Sequence, residues 1–257
     1  MDREGFQANF VCDAYDKEEM WYLVEEQIFQ QNLIEDRYDF NGRKYKLDKV
    51  GDAVLRHHRD SFEVESGPLK FYFSPSKTLG YDFLDIVDKV NSSMNWNHWV
   101  ERFAQRPGFF QAFSYDENYR YWQGAYDLDT YERHGRSHAH LRKRKRRMPE
   151  PLDNLIIAIE DNPGRYVIRT EHEKQIGFVE TVTAEMWLGP EFWPRTGADR
   201  DAVLNCEFLQ VEEMEHDIIH IQTGYRTFTE DTGEQAELQN KMRRLLYPNT
   251  VDMPLRF

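Results

Sequence analysis

Nine histidines are the side chains of this 257-residue chain best suited to binding a metal or moving a proton near neutral pH. Two groups have ligand-like spacing. His134, His138 and His140 follow the pattern His-x3-His-x-His, which can bring two or three imidazoles to one ion. Arg133, Arg136 and Arg142 flank them, and neighbouring cations oppose a divalent metal. His216-Asp217-Ile218-Ile219-His220 parallels the zincin pattern His-Glu-x-x-His, in which spacing of four places both histidines on one helical face. Here the general-base position holds the shorter Asp217. The β-branched residues that run on to Gly224 predict a strand. Four residues of strand span about 13 Å, too far for joint ligation. No metal site is therefore expected. The alternative reading is a metal-dependent hydrolase that uses His134, His138 and His140, or the pair His216 and His220.

Other catalytic patterns are missing. His57-His58 and Cys206 have no companions nearby in sequence. The chain has no Gly-x-Ser-x-Gly elbow, no P-loop and no Gly-x-Gly-x-x-Gly turn. With 46 Asp and Glu, adjacent carboxylates carry no information. Two cysteines, Cys12 and Cys206, make neither a disulfide framework nor a cysteine-based metal site. No catalytic residue and no cofactor is expected, and the reading is of a binding protein rather than an enzyme.

Charge is unevenly spread. The formal net charge is -13, yet residues 142–147 read Arg-Lys-Arg-Lys-Arg-Arg. The rest of the chain carries 27 basic against 46 acidic residues, a balance of -19. Six consecutive cations must be solvated or paired. They could dock nucleic acid or anionic lipid, act as a nuclear-localisation signal, or pair with the chain's own acidic surface. The acidic remainder opposes approach of nucleic acid and of anionic membrane, and it attracts basic proteins. The expected partner is thus a basic protein. A nucleic-acid adaptor working through 142–147 is the second alternative.

Aromatic residues supply the densest feature. Twelve Phe, Tyr and Trp fall in the 36 positions from Trp96 to Tyr131. Tyr and Trp join a large apolar body to a polar tip, which suits interfaces. The expected partner-binding residues are Tyr115, Tyr119, Tyr121, Trp122 and Tyr126, with Arg144 and Arg146 of the basic run. The expected arrangement has Phe inward and some Tyr outward. A second knot, Met186–Trp193, turns at Gly189-Pro190 between two tryptophans and predicts a corner pinned by Trp burial.

The elements that position these residues are legible in part. Alternation predicts a strand over 6–14, and Asp16 with Glu18 and Glu19 predicts a capped helix after it. Asn41-Gly42 between alternating segments predicts a hairpin. A helix is expected over 49–60, a strand over 69–73, mostly helix over 80–105 with a break near 91–93, and partly helical structure over 109–131. Residues 132–151 read as an exposed loop or linker. Strands are expected at 155–160, 165–170, 176–182 and 218–223, and a helix at 199–209 capped by Asp199 or Asp201. The last helix starts at Thr229 or Asp231 and stops before Pro248. This order lacks regular βαβ alternation and predicts an α+β fold, a mixed, mainly antiparallel sheet with flanking helices. A single domain over 1–257 is expected, its lobes 1–131 and 152–257 joined by the basic connector 132–151. The polar, acidic N-terminus does not read as a signal peptide, and the longest aliphatic run, Leu155–Ile159, cannot span a bilayer. A cytoplasmic location is the expectation.

The acidic α+β body, the corner Met186–Trp193, the turn Asp161-Asn162-Pro163-Gly164-Arg165 and the closing helix Glu237–Pro248 together resemble the immunity-type proteins encoded beside bacterial polymorphic toxins. The likeness covers the C-terminal half. It implies a binding protein that occludes a toxin, and it carries over no catalytic residue.

Overall fold

The computed structural model describes residues 3–151, 153–170 and 177–250. The first half runs β1 (Glu4–Val11), α1 (Lys17–Gln30), β2 (Tyr38–Phe40), β3 (Arg43–Tyr45), α2 (Leu47–Arg56), β4 (Phe62–Glu65), β5 (Leu69–Ser74), β6 (Tyr81–Asp88), α3 (Asn97–Ala104) and β7 (Phe109–Asp116). An insert follows, made of α4 (Glu117–Gly124), α5 (Leu128–Arg133), β8 (Lys143–Lys145) and β9 (Leu155–Ile157). The second half holds β10 (Val167–Thr170), β11 (Gly177–Glu180), β12 (Glu185–Leu188), α6 (Phe192–Thr196), α7 (Arg200–Leu204), β13 (Gln210–Glu213), β14 (Ile219–Gln222) and α8 (Gly233–Leu246).

Ten strands form one sheet in the order β13-β14-β12-β7-β1-β6-β5-β4-β2-β3. Each of its pairings is antiparallel. The fold is therefore α+β, as the order of elements predicts. Sheet continuity across the two halves rests on one pairing, β7 with β12, at Phe113–Met186, Ala112–Trp187 and Gln111–Leu188. The hairpins β8–β9 and β10–β11 stand outside this sheet.

Side-chain alternation on β1 sets up the two faces. Phe6, Ala8 and Phe10 enter an apolar core with Trp21, Trp96, Trp99 and Phe103. Phe6 stacks on Trp96 at 5.0 Å between centroids. Burying each such ring contributes about 1.5–3 kcal/mol. The opposite face is polar at its centre. Gln7 donates to Asn9 (2.7 Å), Asn9 to Gln111 (3.4 Å), Gln111 to the Tyr247 hydroxyl (2.9 Å), and that hydroxyl to the Thr181 carbonyl (2.8 Å). This chain of bonds satisfies buried amides that would otherwise cost about 1–3 kcal/mol each, and it ties the end of α8 to the sheet.

Local signals worked where they are chemical. Asp16 accepts from the Glu18 and Glu19 amides while Glu19 reaches back, a complete capping box. Asn41 and Gly42 both take positive φ, at 53° and 76°, and close the β2–β3 hairpin. Asp199 caps α7. Two expectations need correction here. Tyr81–Asp88, expected in a mostly helical stretch, is a strand paired on both edges, with β1 and β5. Phe109–Asp116, in the stretch expected to be partly helical, is a strand buried along its whole length, and α4 and α5 supply the helical part. Strands covered on both faces lose the alternation that identifies them. The last helix begins at Gly233, after Thr232, and not at Thr229 or Asp231.

The second half is anchored on one carboxylate. Glu180, fully buried at the end of β11, receives Arg165 at 2.6 Å, Arg243 of α8 at 3.2 Å, and Arg169. Arg165 and Arg243 also donate to the carbonyls of Glu160 and Pro163, at the exit from the insert. Burial raises the Glu180 carboxyl, but the three guanidinium groups outweigh it and hold it below the ordinary carboxylate value. Burial, with Arg165 alongside, pulls Arg243 down to about 9.

Candidate functional site

The insert is small, so its order depends on a few residues. Asp116 caps α4 by accepting from the Tyr119 amide at 2.6 Å, and Asp127 caps α5 through the Asp129 amide at 3.1 Å. Tyr131 donates its hydroxyl to the Trp122 carbonyl at 2.8 Å, which joins the two helices. Leu128, Tyr131, Leu141 and Ile157 form a separate apolar cluster, with Trp122 and Ala125 packed against it. The Ile157 amide donates to the Tyr126 carbonyl at 2.7 Å and so docks β9 beside the helices.

Residues 132–151 are consequently not all loop. Within them Lys143–Lys145 is strand β8, with Lys143 opposite Ile157, Arg144 opposite Ile156 and Lys145 opposite Leu155. Leu141 is buried beside it, and that burial fixes the strand. Three of the six cations in the run face the protein's own carboxylates. Arg142 reaches Asp161 at 2.5 Å, Arg144 meets Glu160, and Lys145 lies 3.8 Å from Asp153. Burial raises the Asp161 carboxyl, but hydrogen bonds from Arg142 outweigh it and leave it lowered. Lys143, Arg146 and Arg147 have no ion-pair partner among the described residues. The Arg146 guanidinium instead lies over the Tyr126 ring, 5.6 Å from its centroid.

These pairings produce a surface. Tyr121 is 58% exposed and Tyr126 43%, and Met148 and Leu155 are also exposed. Residues 117–161 hold nine Lys and Arg against eight Asp and Glu, so the insert is slightly positive on an acidic body. Trp122 is half-buried, with Tyr121 edge-on to it at 5.3 Å and Arg136 over its ring at 5.2 Å. Arg136 in turn is held by Asp231 at 3.0 Å, so the insert is braced against the second half.

Of the residues expected to bind a partner, Tyr121, Trp122, Tyr126, Arg144 and Arg146 all lie on this insert, with Tyr121 against Trp122 and Arg146 over Tyr126. Tyr115 and Tyr119 do not reach its surface. The Tyr115 hydroxyl donates to Asp85 at 2.7 Å, with Arg120 over its ring at 4.2 Å. Tyr119 donates to the Glu230 carbonyl at 3.0 Å. Burial pushes both phenols up. Met148 and Leu155 escaped sequence reasoning. The aliphatic run at Leu155 signals a strand but gives no sign that its first residue points outward.

The histidines are dispersed. His134 lies edge-on to Trp122 at 5.6 Å, His138 edge-on to Tyr131 at 6.1 Å, and His140 is exposed. His216 occupies the turn before β14 with φ 61°, while His220 lies in β14. The His220 ring stacks on Trp187 at 4.9 Å and hydrogen-bonds Glu185 at 3.0 Å. Among the described residues no group of three His, Cys, Asp or Glu is placed to hold a metal ion. No helix of the described residues is long and apolar enough to cross a membrane.

No protein family model matches the chain, and no curated protein matches it. Among solved structures it is similar to the Pseudomonas aeruginosa T6SS protein PA0821, at 14% identity and a TM-score of 0.54. The likeness covers 100% of this chain and 78% of that one, and it is a likeness of fold.

Proposed function

We propose that this chain is a non-enzymatic binding protein of the immunity type, which neutralises a toxin or effector protein by direct contact through the 117–161 insert. One observation carries the reading. An ordered, separately packed insert leaves Tyr121, Tyr126, Met148 and Leu155 exposed, with Arg146 over the Tyr126 ring. Aromatic residues, Met and Arg are the types enriched where proteins bind proteins, and they supply most of the binding energy there. The fold likeness to a T6SS protein is compatible with an immunity-type role. The acidic body draws in a basic partner over long range, while the contact patch of that partner supplies carboxylates or carbonyls to Lys143 and Arg146.

Arg142 and Arg144 are held by the largely buried carboxylates Asp161 and Glu160, which counts against a nucleic-acid adaptor. The test is protection from a co-expressed toxin. The wild-type chain is expected to restore growth, and the variant carrying Tyr121→Ala, Tyr126→Ala and Arg146→Ala is not. Full protection by a folded triple variant overturns the assignment of the insert.

A further inference from the structure

A groove lies at the β3 end of the sheet. It is an open groove of about 560 Å³ between α2 and the β2–β3 hairpin. Lys49, Asp52 and Arg56 come from one face of α2, Arg43 and Tyr45 from β3, and His57 closes one end. Three cations against one carboxylate make this a positive groove on a chain of net charge -13. Its ion pairs are loose and exposed, Arg56 with Asp52 at 3.7 Å and Lys49 with Asp48 at 3.7 Å. Such pairs are worth little and yield readily to a better anion. Arg43 has no ion-pair partner among the described residues.

Backbone geometry adds a second, independent feature. β3 is the terminal strand of the sheet, so its outer edge is unpaired among the described residues. A two-residue turn makes Phe40 and Arg43 the hydrogen-bonded pair, and Asp39 and Lys44 the next, non-bonded pair. The Lys44 N–H and C=O therefore point away from β2, where an added strand would meet them. Lys49 and Arg56 lie two helical turns apart, about 10 Å. That spread matches carboxylates along three or four extended residues rather than one compact phosphate.

We propose that an acidic, extended peptide segment of a partner protein adds to β3, with its backbone on the Lys44 edge and its carboxylates in the Arg43–Lys49–Arg56 groove. Edge addition of this kind takes affinity from main-chain hydrogen bonds and specificity from alternate side chains. The site is independent of the insert, so its failure leaves the reading of the insert standing.

The experiment uses the full chain and a fluorescent peptide of alternating Glu and Val, with alternating Lys and Val as the control, followed by anisotropy. The acidic peptide is expected to bind and the basic one not. Arg43→Glu with Arg56→Glu lowers the affinity at least about tenfold through charge reversal. Lys44→Pro lowers it by removing the outward donor. Absence of acidic-peptide binding, or equal binding to the charge-reversed chain, overturns the proposal. Binding that survives in a folded Lys44→Pro chain overturns strand addition. Sedimentation provides the other arm. Self-association abolished by Arg43→Glu and Arg56→Glu would assign the groove to a second copy and overturn the partner assignment.

Discussion

Arg146 lies over the ring of Tyr126, its guanidinium carbon 5.6 Å from the ring centroid, at the exposed face of the insert. The pair holds a cation and an aromatic ring ready for a partner without burying either. Tyr126→Ala and Arg146→Ala should each weaken partner binding by about 2 kcal/mol, the range of interface anchors. Fold stability should move by no more than about 0.5 kcal/mol, as for surface changes generally. Calorimetric titration and thermal melts separate the two. Equal losses of affinity and stability would make the pair structural.

Glu180 is a buried carboxylate shared by three guanidinium groups. Removing it leaves Arg165, Arg169 and Arg243 facing one another in a buried site, so Glu180→Ala should cost about 3–5 kcal/mol in urea unfolding. Its pH dependence follows from the lowered carboxyl. A folded-state value below the unfolded one, about 4.3, gives stability that is present above that value and lost as pH falls through the folded one. Stability of the wild-type chain should therefore drop below about pH 4, and the drop should be shallower in a folded Glu180→Gln chain. Parallel pH profiles would show that Glu180 does not drive it.

Gly5 has no room for a side chain. A Cβ there would lie 2.2 Å from the Tyr115 ring. Gly5→Ala should cost about 1–3 kcal/mol by overpacking a central strand. Tyr115→Ala in the same chain should recover part of that cost, measured as a double-mutant cycle. Additive losses would place the strain elsewhere.

We propose that the chain unfolds as one unit, because the β7–β12 pairing makes one sheet of strands from both sides of the basic run. Circular dichroism and tryptophan fluorescence should report one coincident transition in urea. Two separated transitions would divide the chain into independent lobes.

What the sequence revealed depended on where the signal lay. The Asp16 cap and the Asn41-Gly42 turn are set by side-chain and backbone chemistry within a few residues, and both were legible. β6 and β7 were not, since strands covered on both faces show no alternation, and a buried run such as Tyr81–Asp88 reads equally as helix. The basic run reads as exposed because six cations demand solvent or partners. It could not be read as a strand, because its ladder partner Leu155–Ile157 and its carboxylates Asp153, Glu160 and Asp161 lie further along the chain. Within the aromatic segment, Phe109, Phe110 and Phe113 turned inward and Tyr121 and Tyr126 outward, as residue type suggests. Tyr115 and Tyr119 turned inward because Asp85 and the Glu230 carbonyl satisfy their hydroxyls.

Hydrogen exchange of the chain, alone and with the toxin it protects against, tests the insert most directly. The account predicts slower exchange on complex formation at residues 119–126 and 143–157, with the rest of the sheet little changed. Protection confined to other surfaces, with the insert exchanging as in the free chain, would contradict it.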